Sequence, residues 1–189
     1  RFSAYFASRS QKLPSQFRFK YILFVGTALE FDERHALEKL NHCVSVDNKL
    51  REWKIIYRPH PWRQSNLAVE VKDLSNVELD PQVAVAFQQG NKFQQPDLSY
   101  YPSLLQNAEV VVGGMTTMLI ETLLMRTPYL ALTWHDSKCI TNMRNVFTNY
   151  MHFRGTETLS ALRFSKTSGD LSEILTELCK LKIAIDPKE

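Results

Sequence analysis

Val110-Val111-Val112-Gly113-Gly114-Met115-Thr116-Thr117-Met118-Leu119-Ile120-Glu121-Thr122-Leu123-Leu124-Met125-Arg126-Thr127-Pro128-Tyr129-Leu130-Ala131-Leu132 is the stretch that decides how this chain folds. It opens on a short β-branched run, breaks at two glycines, continues as an apolar-rich segment, and resumes after Pro128 with a second apolar run. A continuous apolar run bounded by glycine is how a strand covered on both faces is written. The segment between the two runs has helical composition, and a parallel pair of strands needs such a crossover. The spacing therefore predicts a strand at 110–112, a helix over 117–126 and a strand at 129–132, which is a βαβ unit.

The same alternation extends outward. Upstream, Tyr100 to Asn107 reads as a short helix. Tyr21-Ile22-Leu23-Phe24-Val25-Gly26 is another apolar run ending at glycine, and reads as a buried parallel strand. Asp32-Glu33-Arg34 then opens a helix in which Ala36, Leu37, Leu40, Val44 and Leu50 recur at helical spacing, with Asp32 as its cap. Lys54 to Arg58 is a second short strand, ended by Pro59 and Pro61, which cannot donate to a ladder. Between Trp62 and Gln95 the signals are sparse: a strand at Asn76 to Leu79 and a polar segment from Gln88 to Lys92. Downstream, helices are expected over Cys139 to Phe147 and Leu171 to Leu181, the latter preceded by Gly169-Asp170 as stop and cap. Residues 1–20 are polar and basic without a period and read as a lead-in or linker; residues 21–189 read as one Rossmann-like nucleotide-binding domain. The expected fold is α/β, a Rossmann-like parallel sheet flanked by helices. In such sheets ligands bind beyond the C-terminal ends of the strands, so the loops after Gly26, Arg58, Val112 and Leu132 are expected to line one crevice.

Composition narrows the function. With 189 residues, 44% hydrophobic and 23% charged, the chain can bury one ordinary core and is neither disordered nor fibrous. A net charge of +3, from 23 basic and 20 acidic residues, gives no general affinity for nucleic acid. Cys43, Cys139 and Cys179 are scattered, without zinc or redox spacing, and fit a reduced, cytoplasmic setting. No apolar run approaches the roughly 20 residues of a membrane span, so membrane association is expected to be peripheral at most. The chain starts without Met, which points to a piece of something longer.

Two loops carry the chemistry. In Gly113-Gly114-Met115-Thr116-Thr117 the glycines let backbone approach a ligand closely, and the hydroxyls stand beside a helix N-terminus, whose free N–H groups and dipole favour an anion. A phosphate fits, although threonine caps and tightly packed glycines also occur in helices with no ligand. In Arg58-Pro59-His60-Pro61 the prolines hold His60 stiffly at a strand end beside Arg58, where both can donate charge-assisted hydrogen bonds to a phosphate. The plain reading is a surface histidine in a turn with Arg58 in a salt bridge. Both loops follow parallel strands of one sheet, which favours the functional reading. Glu121, in an apolar stretch, either accepts from a ribose hydroxyl or a neighbouring backbone group, or faces solvent. Trp134 stacks on a base or packs; His135 and Asp136 follow it. His35 and His42 are read as surface residues and no metal is assigned. Gly26-Thr27 departs from the three-glycine dinucleotide fingerprint, and there is no Walker loop, zinc-protease helix or Gly-x-Ser-x-Gly elbow.

At Tyr57-Arg58-Pro59-His60-Pro61 and at Leu104 to Glu121 the chain resembles the C-terminal, nucleotide-sugar-binding domain of glycosyltransferase B-fold enzymes. The likeness is to the group with a His-Pro motif: bacterial sialyl- and polysialyltransferases, capsule Kdo transferases and, more loosely, CDP-glycerol glycerophosphotransferases. The resemblance implies one half of a two-domain transferase that passes a sugar or sugar-like group from a nucleotide-activated donor to a glycan or lipid-linked acceptor. It implies His60 as the catalytic residue at the departing phosphate. Arg58, Gly113, Gly114, Met115, Thr116, Thr117 and Glu121 would serve nucleotide and phosphate binding, with no cofactor beyond the donor itself. Gly-Gly-Met-Thr-Thr stands where the glycerophosphotransferases have Asp-Tyr-Ser-Ser, which speaks against phosphoglycerol transfer. The acceptor-binding N-terminal domain is missing from this sequence. A nucleotide-sugar 2-epimerase-like enzyme and a non-catalytic nucleotide-binding or interaction domain are the rival readings.

Overall fold

The structure is a computed structural model and describes residues 2–60, 71–88, 99–135 and 142–185. In chain order its elements are α1 (Phe2–Ser8), β1 (Tyr21–Val25), α2 (Glu33–Val46), β2 (Lys54–Arg58), β3 (Val77–Leu79), α3 (Pro81–Gln88), α4 (Tyr100–Asn107), β4 (Val110–Gly113), α5 (Met118–Leu124), β5 (Tyr129–Leu132), α6 (Met143–Asn149), β6 (Leu162–Ser165) and α7 (Leu171–Ile185). Two 3-10 turns, Met151–Phe153 and Thr156–Thr158, lie between α6 and β6.

The strands form one sheet in the order β3-β2-β1-β4-β5-β6, every neighbouring pair parallel. Strand order runs outward in one direction through β1, β2 and β3, then reverses and runs outward through β4, β5 and β6. Right-handed crossovers in opposite lateral directions put their helices on opposite faces. Accordingly α2 packs against α7, whereas α4 and α5 pack against each other and against α1. With a helical layer on each face, β1, β4 and β5 are buried at every position, as their unbroken apolar runs predict. Side chains such as Leu23, Val111 and Leu130 are fully enclosed, each contributing roughly 1.5–3 kcal/mol from removal of apolar surface from water.

Local chemistry sets the ends of the elements. The Asp32 carboxylate accepts from the His35 N–H at 2.8 Å and starts α2, as expected. Helix α5 closes through Arg126 at φ 60°, a left-handed cap without the usual glycine. The Asp170 carboxylate accepts from the Lys166 and Thr167 N–H groups and the Ser165 hydroxyl, fixing the turn between β6 and α7.

Four features depart from the sequence expectations, the first being helix α3, which lies in a stretch where the signals are sparse. Residues 1–20 have no readable period, yet they contain α1, whose Tyr5 is fully buried. Ser103, Gln106 and Asn107 of α4 clamp the backbone of residues 11–14 with side-chain hydrogen bonds of 2.6–3.4 Å. An element this short is decided by tertiary contacts rather than by periodicity. Strand β6 was not anticipated: Leu-Arg-Phe-Ser is short, with only its two end residues buried and Arg163 reaching out to Glu177 at 2.9 Å. The helix expected over Cys139–Phe147 is described from Met143 to Asn149, and its expected first residues 139–141 lie outside the described residues. Pro61, the polar segment from Gln89 to Lys92, and Asp136 lie outside them as well.

Candidate functional site

Sheet register brings the two sequence-marked loops to one edge. Val25 pairs with Arg58 on one side and Gly113 on the other, and Gly113 pairs with Ala131. The loops after β1, β2, β4 and β5 therefore leave from nearly one row at the C-terminal edge. The reversal of strand order falls between β1 and β4, the place in an open parallel sheet where a ligand crevice is expected.

Glycines let these loops close on one another. A Cβ on Gly26 would lie 2.6 Å from the His60 backbone nitrogen and 3.0 Å from the Pro59 Cα. One on Gly113 would lie 2.5 Å from the Val25 carbonyl oxygen, and one on Gly114 3.1 Å from the Met143 Cε and 3.3 Å from the Thr27 Cγ2. Gly26 thus lets the β1 loop meet the Pro59-His60 turn, and Gly114 lets the β4 loop meet Thr27 and α6. The Tyr129 hydroxyl, buried and with its pKa pushed up by burial, donates to the Gly114 carbonyl at 2.7 Å. The β4 loop is fixed from below.

In sequence Glu33 is one acidic residue at a helix start, yet in the fold it is central to this edge. Buried at the first turn of α2, it accepts from the Thr27 N–H at 2.9 Å and from the Tyr57 hydroxyl at 2.5 Å. One carboxylate therefore ties the β1 loop to the helix that follows it and to the strand that carries Arg58 and His60. Nothing in the sequence separated it from the other acidic residues that favour a first helical turn.

The residues singled out from the sequence divide by direction. His60 is half-buried just past the end of β2, Thr116 is half-buried and Thr117 exposed, so these three retain access to solvent at the C-terminal edge. Gly113, Gly114 and Met115 are buried, and Met115 sends its side chain into the core, so this part of the loop presents backbone. The Thr117 side chain makes no cap hydrogen bond, and the Met118 N–H approaches the Thr116 hydroxyl only at 3.5 Å.

Arg58 and Glu121, expected to contact a ligand, have their side chains turned inward. Arg58 donates to the Tyr101 hydroxyl, its guanidinium lies 4.5 Å from the centre of the Tyr101 ring, and its charge acts on buried Asp80. Asp80 accepts from the Tyr100 hydroxyl at 2.7 Å and the Gln82 N–H at 2.9 Å. Burial pushes the Asp80 carboxyl above its usual range, which these hydrogen bonds and Arg58 offset only in part. Burial and the neighbouring Asp80 likewise raise the Tyr100 phenol. Glu121 is fully enclosed and accepts from the Tyr5 hydroxyl at 2.5 Å. The reason is the same in both cases: a long polar side chain reaches a tertiary partner invisible to local sequence, Arg58 from a strand end and Glu121 from the middle of α5.

Trp134 packs rather than offering a stacking face. It is fully buried, donates from Nε1 to the Ser165 hydroxyl at 2.6 Å, and lies among Phe31 and His35. His135 is exposed and His42 lies on the outer face of α2. Among the described residues no group of three or more His, Cys, Asp or Glu stands close enough to hold a metal ion, and no helix is long and apolar enough to cross a membrane.

No family model and no curated protein matches the sequence. Solved structures do match in fold. The E. coli heptosyltransferase WaaC with ADP-2-deoxy-2-fluoro heptose is 11% identical with a TM-score of 0.56, over 91% of this chain and 47% of that one. The wall teichoic acid polymerase TagF is 12% identical with a TM-score of 0.50, over 98% of this chain and 41% of that one. The Methanocaldococcus jannaschii UDP-GlcNAc 2-epimerase, in complex with UDP-GlcNAc and UDP, is 12% identical with a TM-score of 0.50, over 93% of this chain and 41% of that one. The chain spans less than half the length of each. At these identities the likeness is one of fold: this chain is an α/β, Rossmann-like domain of the kind that forms one half of a glycosyltransferase B fold.

Proposed function

We propose that this chain is the donor-binding half of a glycosyltransferase, holding the phosphates of a nucleotide-activated sugar between His60 and the Gly113–Thr117 loop. The observation that carries the reading is the convergence of the β1, β2 and β4 loops at the strand-order reversal, with Gly26 against the His60 backbone and Gly114 against Thr27. An imidazole N–H, two threonine hydroxyls and the N–H groups of a tight turn are suited to the charge that grows on a departing phosphate. The backbone of the Gly113–Thr117 turn is braced by Tyr129 on the Gly114 carbonyl, so little reorganisation opposes the part its N–H groups take in that stabilisation. In this account Arg58 and Glu121 act from behind, Arg58 by fixing the strand end that carries His60 and Glu121 through the helix that follows the threonines. The donor is a substrate, and the reading calls on no separate cofactor or metal. The acceptor, a glycan or lipid-linked saccharide, would be held by the other half of the enzyme. A nucleotide donor and a reduced-cysteine sequence suit a cytoplasmic site, with membrane contact peripheral at most. The resemblance at Tyr57–Pro61 and Leu104–Glu121 favours the His-Pro-motif transferases within the fold.

The test is a calorimetric titration with CMP, CDP, UMP, UDP and GDP of the unsubstituted chain, His60→Ala and Thr116→Ala. One nucleotide should bind, and each substitution should weaken it by about 1–3 kcal/mol, the usual cost of a lost charged or buried hydrogen bond. Failure of all five to bind would sink the reading in favour of a domain that keeps the scaffold without the reaction. Turnover of UDP-GlcNAc without an acceptor would favour the epimerase-like reading instead.

A further inference from the structure

Glu121 poses a physical problem that the crevice does not solve. It sits in Met118-Leu119-Ile120-Glu121-Thr122-Leu123-Leu124, fully enclosed, where a leucine or methionine would pack without the desolvation cost of a carboxylate. A buried carboxylate persists only with hydrogen-bond donors, and at 2.5 Å the Tyr5 hydroxyl is one, reaching it from a helix more than a hundred residues earlier. Tyr5 is itself fully enclosed, and α1 packs against both α4 and α5. Residues 11–14, which follow α1, are fastened by side chains of α4: Ser103 donates to the Pro14 carbonyl at 2.6 Å, and Gln106 accepts from the Leu13 N–H at 2.7 Å while donating to the Gln11 carbonyl at 2.8 Å. Position 5 is therefore held on a braced segment.

The line of contact continues into the β4 loop. The Glu121 N–H donates to the Thr117 carbonyl at 3.3 Å, and the Leu119 and Ile120 N–H groups donate to the Thr116 and Thr117 carbonyls at 3.0 Å. The backbone of Glu121 is thereby joined to Thr117 within the first turn of α5, one turn from both threonines. The loop is fixed at its other end by Tyr129 on the Gly114 carbonyl. We infer that Tyr5 is a positioning residue: through its hydrogen bond to Glu121 it sets the orientation of the Gly113–Thr117 loop, so that residues 2–14 are a working part of the anion-facing edge. The ligand consequence of this inference rests on the donor-binding reading; the positional consequence does not.

The experiment is amide-resolved NMR of the chain and of Tyr5→Phe, first without ligand and then in titration with the bound nucleotide and its parent nucleoside. Tyr5→Phe keeps the packing and removes only the hydroxyl. The Thr116, Thr117 and Met118 resonances should move without ligand, as far as those next to Tyr5, while the sheet resonances stay in place. Affinity for the nucleotide should then fall about tenfold, and that for the nucleoside, which lacks the phosphate, should not change. Movement confined to α1 and the immediate surroundings of Glu121 would overturn the inference and leave α1 as packing alone. Moved Thr116 and Thr117 resonances in a chain that binds no nucleotide would uphold the positioning and remove the donor reading. Should Tyr5→Phe fail to fold, Glu121→Gln keeps an acceptor for the hydroxyl without the charge, and the same resonances should shift in the same direction by a smaller amount; no shift there would overturn the inference equally.

Discussion

The two loops that the sequence marked behave differently. In the β4 loop the polar residues face outward and the glycines inward: Thr116 and Thr117 stand at the edge, while Gly113 and Gly114 are pressed against Val25, Thr27 and Met143. In the β2 loop the order is mixed, because Arg58 turns down to Tyr101 while the backbone of His60, two residues on, lies against the β1 loop. Polar residues at strand ends thus have two placements, open to solvent at the edge or turned inward to brace it. Residue type alone does not distinguish them. The difference predicts a separation of phenotypes: bracing residues should lower stability first, and edge residues should lower binding while leaving stability almost alone.

The largest effect is expected at Arg58. Arg58→Ala removes a buried side chain together with its hydrogen bond and ring contact at Tyr101 and should destabilise the fold by roughly 2–5 kcal/mol, read from a denaturant midpoint. A loss below about 0.5 kcal/mol, the level of an ordinary surface change, would show that Arg58 does not brace the edge. Gly113→Ala comes next, at about 1–3 kcal/mol, because its Cβ meets the Val25 carbonyl oxygen, a backbone atom that can yield only by moving β1. His60→Ala and Thr116→Ala should behave oppositely, staying within about 0.5 kcal/mol of the parent in stability while carrying the binding losses of the titration above.

The smallest and most specific effect is a pH dependence at Asp80. Burial raises its folded-state pKa, so the folded chain holds this proton more tightly than the unfolded one. The resulting stability is fully present below the unfolded value, about 3.9, and is lost as pH rises through the raised folded value. Asp80→Asn cannot titrate and should lack this decline, so its stability relative to the parent should increase as pH rises from about 4. Parallel stability curves across that range would mean that the Tyr100 and Gln82 hydrogen bonds, with the charge of Arg58, compensate burial in full.

How much of this was legible follows from the range of the interactions. Strands β1, β4 and β5 are readable because burial on both faces writes a continuous apolar run, β2 because prolines end it, and α2 because Asp32 caps it and its apolar residues recur at helical spacing. From those elements the shared edge followed by topology alone. Helix α1 and strand β6 were not readable: each is short, and each depends on partners far away in sequence, α1 on α4 and α5, β6 on β5 and α7. The site divides in the same way. Its loops were visible because glycine and proline punctuate strand ends, and the geometry gives Gly26, Gly113 and Gly114 a steric reason to be glycine. The roles of Glu33, Tyr5, Asp80 and Tyr129 were not visible, since a buried hydrogen bond between distant residues leaves no local pattern. Trp134 shows the converse: a base-stacking residue and a packing residue look alike in sequence, and only its burial against Ser165 separates them.

The central claim is that the crossing point of the sheet is where this chain meets its ligand. The most direct measurement maps backbone amide shifts during titration with whichever of the five nucleotides binds. The account predicts shifts concentrated at Gly26, Thr27, His60 and Gly113–Thr117, with β6 and α7 unaffected. Shifts centred on α7, or at the opposite, N-terminal edge of the sheet, would contradict it.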